Sequence, residues 1–214
     1  MTRRLCRLLL VSTALSALTA VHARAEIDVD RTKAAIATSL DADYPKLDTL
    51  YKELHAHPEI AFQEVKTAAR LAGKMRALGF DVVEHVGKAG MVAIYRNGPG
   101  PTVMVRTELD ALPMEEKTGL PYASKVRTVW QGRETYVAHS CGHDVHTAAW
   151  VGTASTLVSM KDRWQGTLMF VAQPAEEAIG GAKAMVADGL FTRFPRPDVA
   201  FALHATSASV GSIG

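Results

Sequence analysis

The chain has 214 residues, 48 % of them hydrophobic and 21 % charged. That composition excludes a disordered or collagen-like chain, and the length suffices for one domain with a real core. The formal charge of +2 rests on Arg3, Arg4, Arg7 and Arg24; without residues 1–25 it becomes −2, and nothing in that balance calls for nucleic acid.

The elements follow in chain order. Arg3, Arg4 and Arg7, an uncharged run over 8–21 and Ala23-Arg24-Ala25 form the three parts of a secretory signal peptide. The run is short beside the roughly 20 residues a spanning helix needs, which disfavours the alternative of an uncleaved anchor. Arg3-Arg4 also raises twin-arginine export, which Leu5, Cys6 and Arg7 fit poorly. The expectation is an exported protein, periplasmic or secreted, with no membrane attachment after cleavage. Cys141 is then the only cysteine of residues 26–214, so no intramolecular disulfide is available.

Apolar periodicity predicts a helix over 29–54, interrupted at Pro45. A second helix is predicted over 64–78, ended by Gly79. Strands are predicted over 80–86 and 91–95, a turn at Asn97-Gly98-Pro99-Gly100, and a strand over 102–106. A helix over 144–158, a strand over 167–172, a short helix over 181–187 and a strand over 199–203 follow. This alternation argues for an α/β layered sheet.

Three segments carry chemistry. In His139-Ser140-Cys141-Gly142-His143-Asp144 a thiolate and an imidazole stand two residues apart, and Gly142 lets the loop curl so that both reach one ion. Asp144 could orient an imidazole from behind; a helix cap beside an inert cysteine is the other reading. Gln173-Pro174-Ala175-Glu176-Glu177 ends a predicted strand, where ligands of open α/β sheets gather. One of its carboxylates can hold a metal while the other takes a proton from water; alone, the pair also reads as a solvated turn. Leu203-His204 ends the last strand and adds a second imidazole, a type also common near surfaces.

Together these segments resemble the M20 metallopeptidases, in the amidohydrolase branch of hippurate and indole-acetyl-amino-acid hydrolases. The resemblance covers residues 52–214 and also includes His55-Ala56-His57-Pro58-Glu59 and Asp110-Ala111-Leu112-Pro113. It implies a zinc-peptidase-like three-layer catalytic domain with a central mixed sheet, incomplete at its C-terminal end. It implies two divalent ions, with manganese, zinc, cobalt and nickel all compatible. Cys141 would bridge them, His143 and His204 would complete the first site, and Glu177 would bind the second ion. Glu176 would be the general base, and Asp110 would stand behind the ligands. The implied reaction is cleavage of the amide of an N-acyl amino acid or related conjugate. Homodimerisation through a lid domain would belong to a longer form.

His55 and His57 are expected to fix the turn between the first two helices. His146 is expected to be structural or to stand behind the ligands, and His139 carries no assigned role. Glu108 stands where the family usually has Asp. Family members also supply a further histidine from a later segment, so this chain is expected to be an incomplete copy with weak or no activity alone. Two competing readings are a metal-binding remnant without catalysis and a cysteine hydrolase using Cys141 with His143 or His139.

Overall fold

A computed structural model describes residues 28–209 and 211–212. The segment read as a signal peptide lies outside the described residues. Asp28 starts α1 (Val29–Ala56) by accepting a hydrogen bond from Arg31 N at 2.9 Å. Pro45 does not interrupt this helix, contrary to expectation. Pro45 and Asp41, four residues before it, lie on the exposed face, where water can take the carbonyl that proline leaves unpaired. On the other face Leu47, Leu50 and Leu54 pack inward, and Leu47 rests where a Cβ of Gly152 would stand.

The second helix, α2 (Val65–Ala77), buries Ala68, Leu71, Ala72 and Met75 at helical spacing. Gly79 ends its last turn at φ +89°. The chain continues through β1 (Asp81–Val86), β2 (Gly90–Asn97), β3 (Thr102–Glu108), β4 (Arg127–Trp130), β5 (Arg133–Tyr136), α3 (His143–Ser159), β6 (Gly166–Gln173), α4 (Gly181–Ala187) and β7 (Val199–Ala202).

Five strands form one mixed sheet in the order β1-β2-β6-β3-β7. The β1–β2 and β2–β6 pairs are antiparallel; β3 runs parallel to both β6 and β7. Alternation along β6 divides the core. Leu168, Phe170 and Ala172 pack under α1, α2 and α3 with Phe80 and Trp150, while Met169 and Val171 face Met185 and Leu190 of α4 and its following loop. The result is the expected three-layer α/β arrangement.

The hairpin β4–β5 has no counterpart in the sequence reading. Its strands are short, charged and half exposed, so apolar alternation is absent; Gln131 and Gly132 turn it at φ 51° and 78°. Among the described residues no helix is long and apolar enough to cross a membrane.

Parallel pairing sets Glu108 opposite Gln173, so β3, β6 and β7 deliver their C-terminal ends to one edge of the sheet. The N-terminus of α3 arrives at the same edge.

Candidate metal centre

His143 opens α3 behind Gly142, which sits at φ +86°. Its ring is wholly buried, and Nδ1 donates to the Asp110 carbonyl at 2.8 Å. That bond fixes the tautomer and leaves the Nε2 lone pair inward, where it has no hydrogen-bond partner. His204 repeats the device: Nδ1 donates to the Ala205 carbonyl at 2.7 Å, and Nε2 lies 3.3 Å from Cys141 Sγ.

The two glutamates arrive from the loop after β6. Glu176 N and Glu177 N donate to the two oxygens of Asp110, each at 2.9 Å. Glu176 Oε2 is then 3.7 Å, and Glu177 Oε1 3.9 Å, from His143 Nε2. Glu177 Oε1 is also buried without a partner. Asp110 therefore organises three neighbours at once. Burial opposes its charge, but the bonds from His143, Glu176 N and Glu177 N prevail and hold its carboxyl below the usual range.

The ligand-type atoms of Cys141, His143 and His204 lie within 4.8 Å of one another, as do those of His143, Glu176 and Glu177. The two groups share His143. A sulfur, two imidazole nitrogens whose Nδ1 protons are engaged elsewhere and adjoining carboxylates suit borderline divalent metals. The two orphaned buried atoms have the electrostatics of a cation site. Burial, then the neighbouring Glu177 and Glu176, pushes the Cys141 thiol up to about 11. A cysteine nucleophile needs the opposite shift, and the ring beside this sulfur is His204 rather than His143 or His139.

Asp144 meets none of the candidate ligands by hydrogen bond. Its Oδ2 lies 2.6 Å from Nδ1 of His55, and its Oδ1 accepts from Val145 N. The other ring nitrogen of His55 is 3.0 Å from Glu116. His55 thus ties α1 to α3 and to the segment before β4, rather than fixing the turn beside it. His57 bonds only within its own helix end, to the Glu53 carbonyl.

His146 lies between Glu108 and the Ala205 backbone. Nδ1 is 3.2 Å from Glu108 Oε2, and Nε2 accepts from Ala205 N at 2.7 Å. Glu108 is buried and also paired with Arg106. Burial alone would raise its pKa; His146 and Arg106 outweigh it and leave the carboxyl low. The His139 ring is pulled down to about 4, chiefly by burial, with Nδ1 unpartnered. Sequence reasoning missed Glu64, Glu116 and the part played by Glu108, because each acts through a partner distant in sequence.

The sequence profile of peptidase family M20/M25/M40 matches residues 104–214, just over half of the chain. The chain belongs to this family. Its M20 relatives include a hippurate hydrolase of Campylobacter jejuni, 38 % identical over 74 % of this chain and 39 % of the relative. They also include an N-acetylcysteine deacetylase of Bacillus subtilis, 34 % identical over 81 % of this chain and 43 % of the relative. A dinuclear metal-binding M20 peptidase from Bacillus subtilis superposes with a TM-score of 0.68 at 33 % identity, covering 78 % of this chain and 44 % of that one. The chain thus spans about two-fifths of the length of the curated M20 relatives it matches. M20 relatives are named as hydrolases, carboxypeptidases and deacetylases, and this chain carries the corresponding enzyme fold.

Proposed function

We propose that this chain carries the hydrolytic site of a metal-dependent amidohydrolase that cleaves N-acyl amino acids or related conjugates. The observation that carries the reading is the pair of buried, unpartnered atoms, His143 Nε2 and Glu177 Oε1, 3.9 Å apart. Cys141, His143, Glu177 and His204 would hold two divalent ions of manganese, zinc, cobalt or nickel. When bound, such ions supply Lewis-acid polarisation of an amide carbonyl and acidify water.

The remaining chemistry falls to side chains. The Glu176 carboxylate, partly open to solvent, takes a proton from the attacking water and returns it to the departing amine nitrogen. Asp110 aims that carboxylate through the backbone N–H of Glu176 and keeps His143 in the ligand tautomer. Asp144 acts at one remove, by anchoring His55 against α3. The relatives named for hippurate and for N-acetylcysteine support an N-acyl amino acid as substrate.

Glu176→Gln in the complete protein should lower hydrolysis of hippurate by about 10²–10⁴-fold while metal content is unchanged. Undiminished turnover, or turnover that survives exhaustive chelation, would refute the reading. Export rests on residues 1–25 and is tested separately: the protein isolated from its source should begin at Glu26. A mature protein that retains Met1 to Ala25 would refute cleavage of a signal peptide, and its recovery from the cytoplasm would refute export.

A further inference from the structure

The loop that carries Glu176 and Glu177 turns, just before them, at a residue in an unfavourable conformation. Ala175 is fully buried and has φ +49°, in the left-handed region that L-residues with a Cβ avoid. This turn swings the chain away from the β6 direction and presents the two glutamates toward His143. Its carbonyl accepts from Gly180 N and Gly181 N. Its N–H is taken from outside the loop, by Glu64 Oε1 at 2.6 Å.

Glu64 stands at the start of α2, where an acidic residue ordinarily serves the free N–H groups of the first turn. Here it does not. Glu59 does that work, accepting from Lys66 N at 3.2 Å and Thr67 N at 2.7 Å. Glu64 makes no side-chain cap; it turns inward and is wholly buried. Its Oε2 has no partner, and burial pushes its pKa up to about 7. A position needed only for packing would be filled better by Leu or Met, since a half-satisfied buried carboxyl is costly. Three successive N–H groups, of Ala175, Glu176 and Glu177, are therefore held by two buried acids, Glu64 and Asp110.

We propose that Glu64 is a positioning residue for the metal centre: by holding the Ala175 N–H it maintains the left-handed turn that aims Glu176 and Glu177. The inference rests on the metal reading given above. Without the acceptor, Ala175 N is left unpaired in the interior. The turn then relaxes toward ordinary backbone angles, and the Glu177 carboxylate leaves the neighbourhood of His143. Gln retains an amide oxygen for the same bond. Met fills the space but offers no acceptor.

Cobalt(II) titration of the metal-free chain, followed by its d–d and thiolate charge-transfer absorption, separates the possibilities. Wild type should show the thiolate band; its absence would overturn the metal reading and this inference with it. Given that band, Glu64→Met should weaken cobalt binding by about 10–100-fold. Glu64→Ala serves in its place if the Met variant does not fold. Glu64→Gln should restore binding to within about threefold of wild type by keeping the acceptor. Wild-type affinity in a folded Met or Ala variant, or equal loss in the Gln variant, would overturn the role of Glu64 while leaving the metal reading intact.

Discussion

The ligand roles proposed for His143 and His204 rest on carbonyl groups that fix each ring's orientation. Each gives its Nδ1 proton to a backbone oxygen; Nε2 of His143 is left without a partner, and Nε2 of His204 meets Cys141 Sγ. Cys141 is the residue whose protonation state a metal would change most, because its surroundings disfavour the thiolate. Replacing Cys141 with Ala should therefore abolish the thiolate-to-cobalt band and weaken cobalt uptake, as read in the same absorption titration. Short strings with unusual residue types made these positions legible in sequence. Glu64 and Glu108 were not legible. A lone glutamate at a helix start or strand end says nothing about a bond to Ala175 or His146, which lie 111 and 38 residues away.

At the scale of elements, His55 is the clamp that joins α1, α3 and the segment before β4. Its ring forms a three-ring cluster with Tyr51 and Tyr122 at centroid distances of 5.6 and 5.4 Å, and both nitrogens face carboxylates. Removing it strands Asp144 and Glu116 with no cation between them. His55→Ala should cost about 3 kcal/mol in urea unfolding, the scale set by breaking buried ion pairs.

The clamp also has a pH signature. Burial opposes the charge of His55, but Glu116 and Asp144 outweigh it and raise its pKa; burial likewise opposes Glu116, but Thr118 and His55 lower it. The histidine contribution is complete below its ordinary value of 6.5 and fades as pH climbs through the raised one. The glutamate contribution is present above 4.5 and fades as pH falls through the lowered value. Urea titrations should show the stability gap between wild type and His55→Ala widest between those limits and narrower at high pH.

The helices and core strands were readable because their apolar periods survive in sequence. Pro45 misled because proline removes only one helical donor, and an exposed face tolerates the loss. The β4–β5 hairpin escaped because an exposed ribbon need not alternate.

On the scale of the whole molecule, β7 is the outermost strand of the sheet among the described residues. Along β7 and just past it, Val199, Phe201 and Leu203 are 47, 58 and 73 % exposed. Beside them a groove of about 700 Å³ runs between the sheet and α3, with Val103, Val105, Trp150 and Leu157 among its walls. An unpaired strand flanked by apolar surface favours association with a second strand. This chain should self-associate with concentration in sedimentation velocity, and Phe201→Lys should suppress that association. His204 follows this same edge, so its place near Cys141 depends on a strand held from one side only. Sequence periodicity identified β7 as apolar; its exposure could not be read there, because burial depends on what lies across the sheet.

The strand order has a consequence for how the molecule is made. β2 and β3 are separated in sequence only by Gly98 to Pro101, yet in the sheet β6 lies between them. A nascent chain ending before residue 166 has both strands and a tight connection, and so could close them into a simple hairpin. The native sheet requires that pairing to be avoided or undone when β6 emerges. Gly100 and Gly166 let the backbones cross there: a Cβ on Gly166 would stand 2.4 Å from the Pro101 carbonyl oxygen. Folding should therefore be slow for a protein of this size, with insertion of β6 as the gate. In pulsed hydrogen exchange the amides of β3 and β6 should gain protection together, after those of α1 and α2. The proposed metal centre would be complete only after that step, since Glu176 and Glu177 follow β6 and bond Asp110, just past β3.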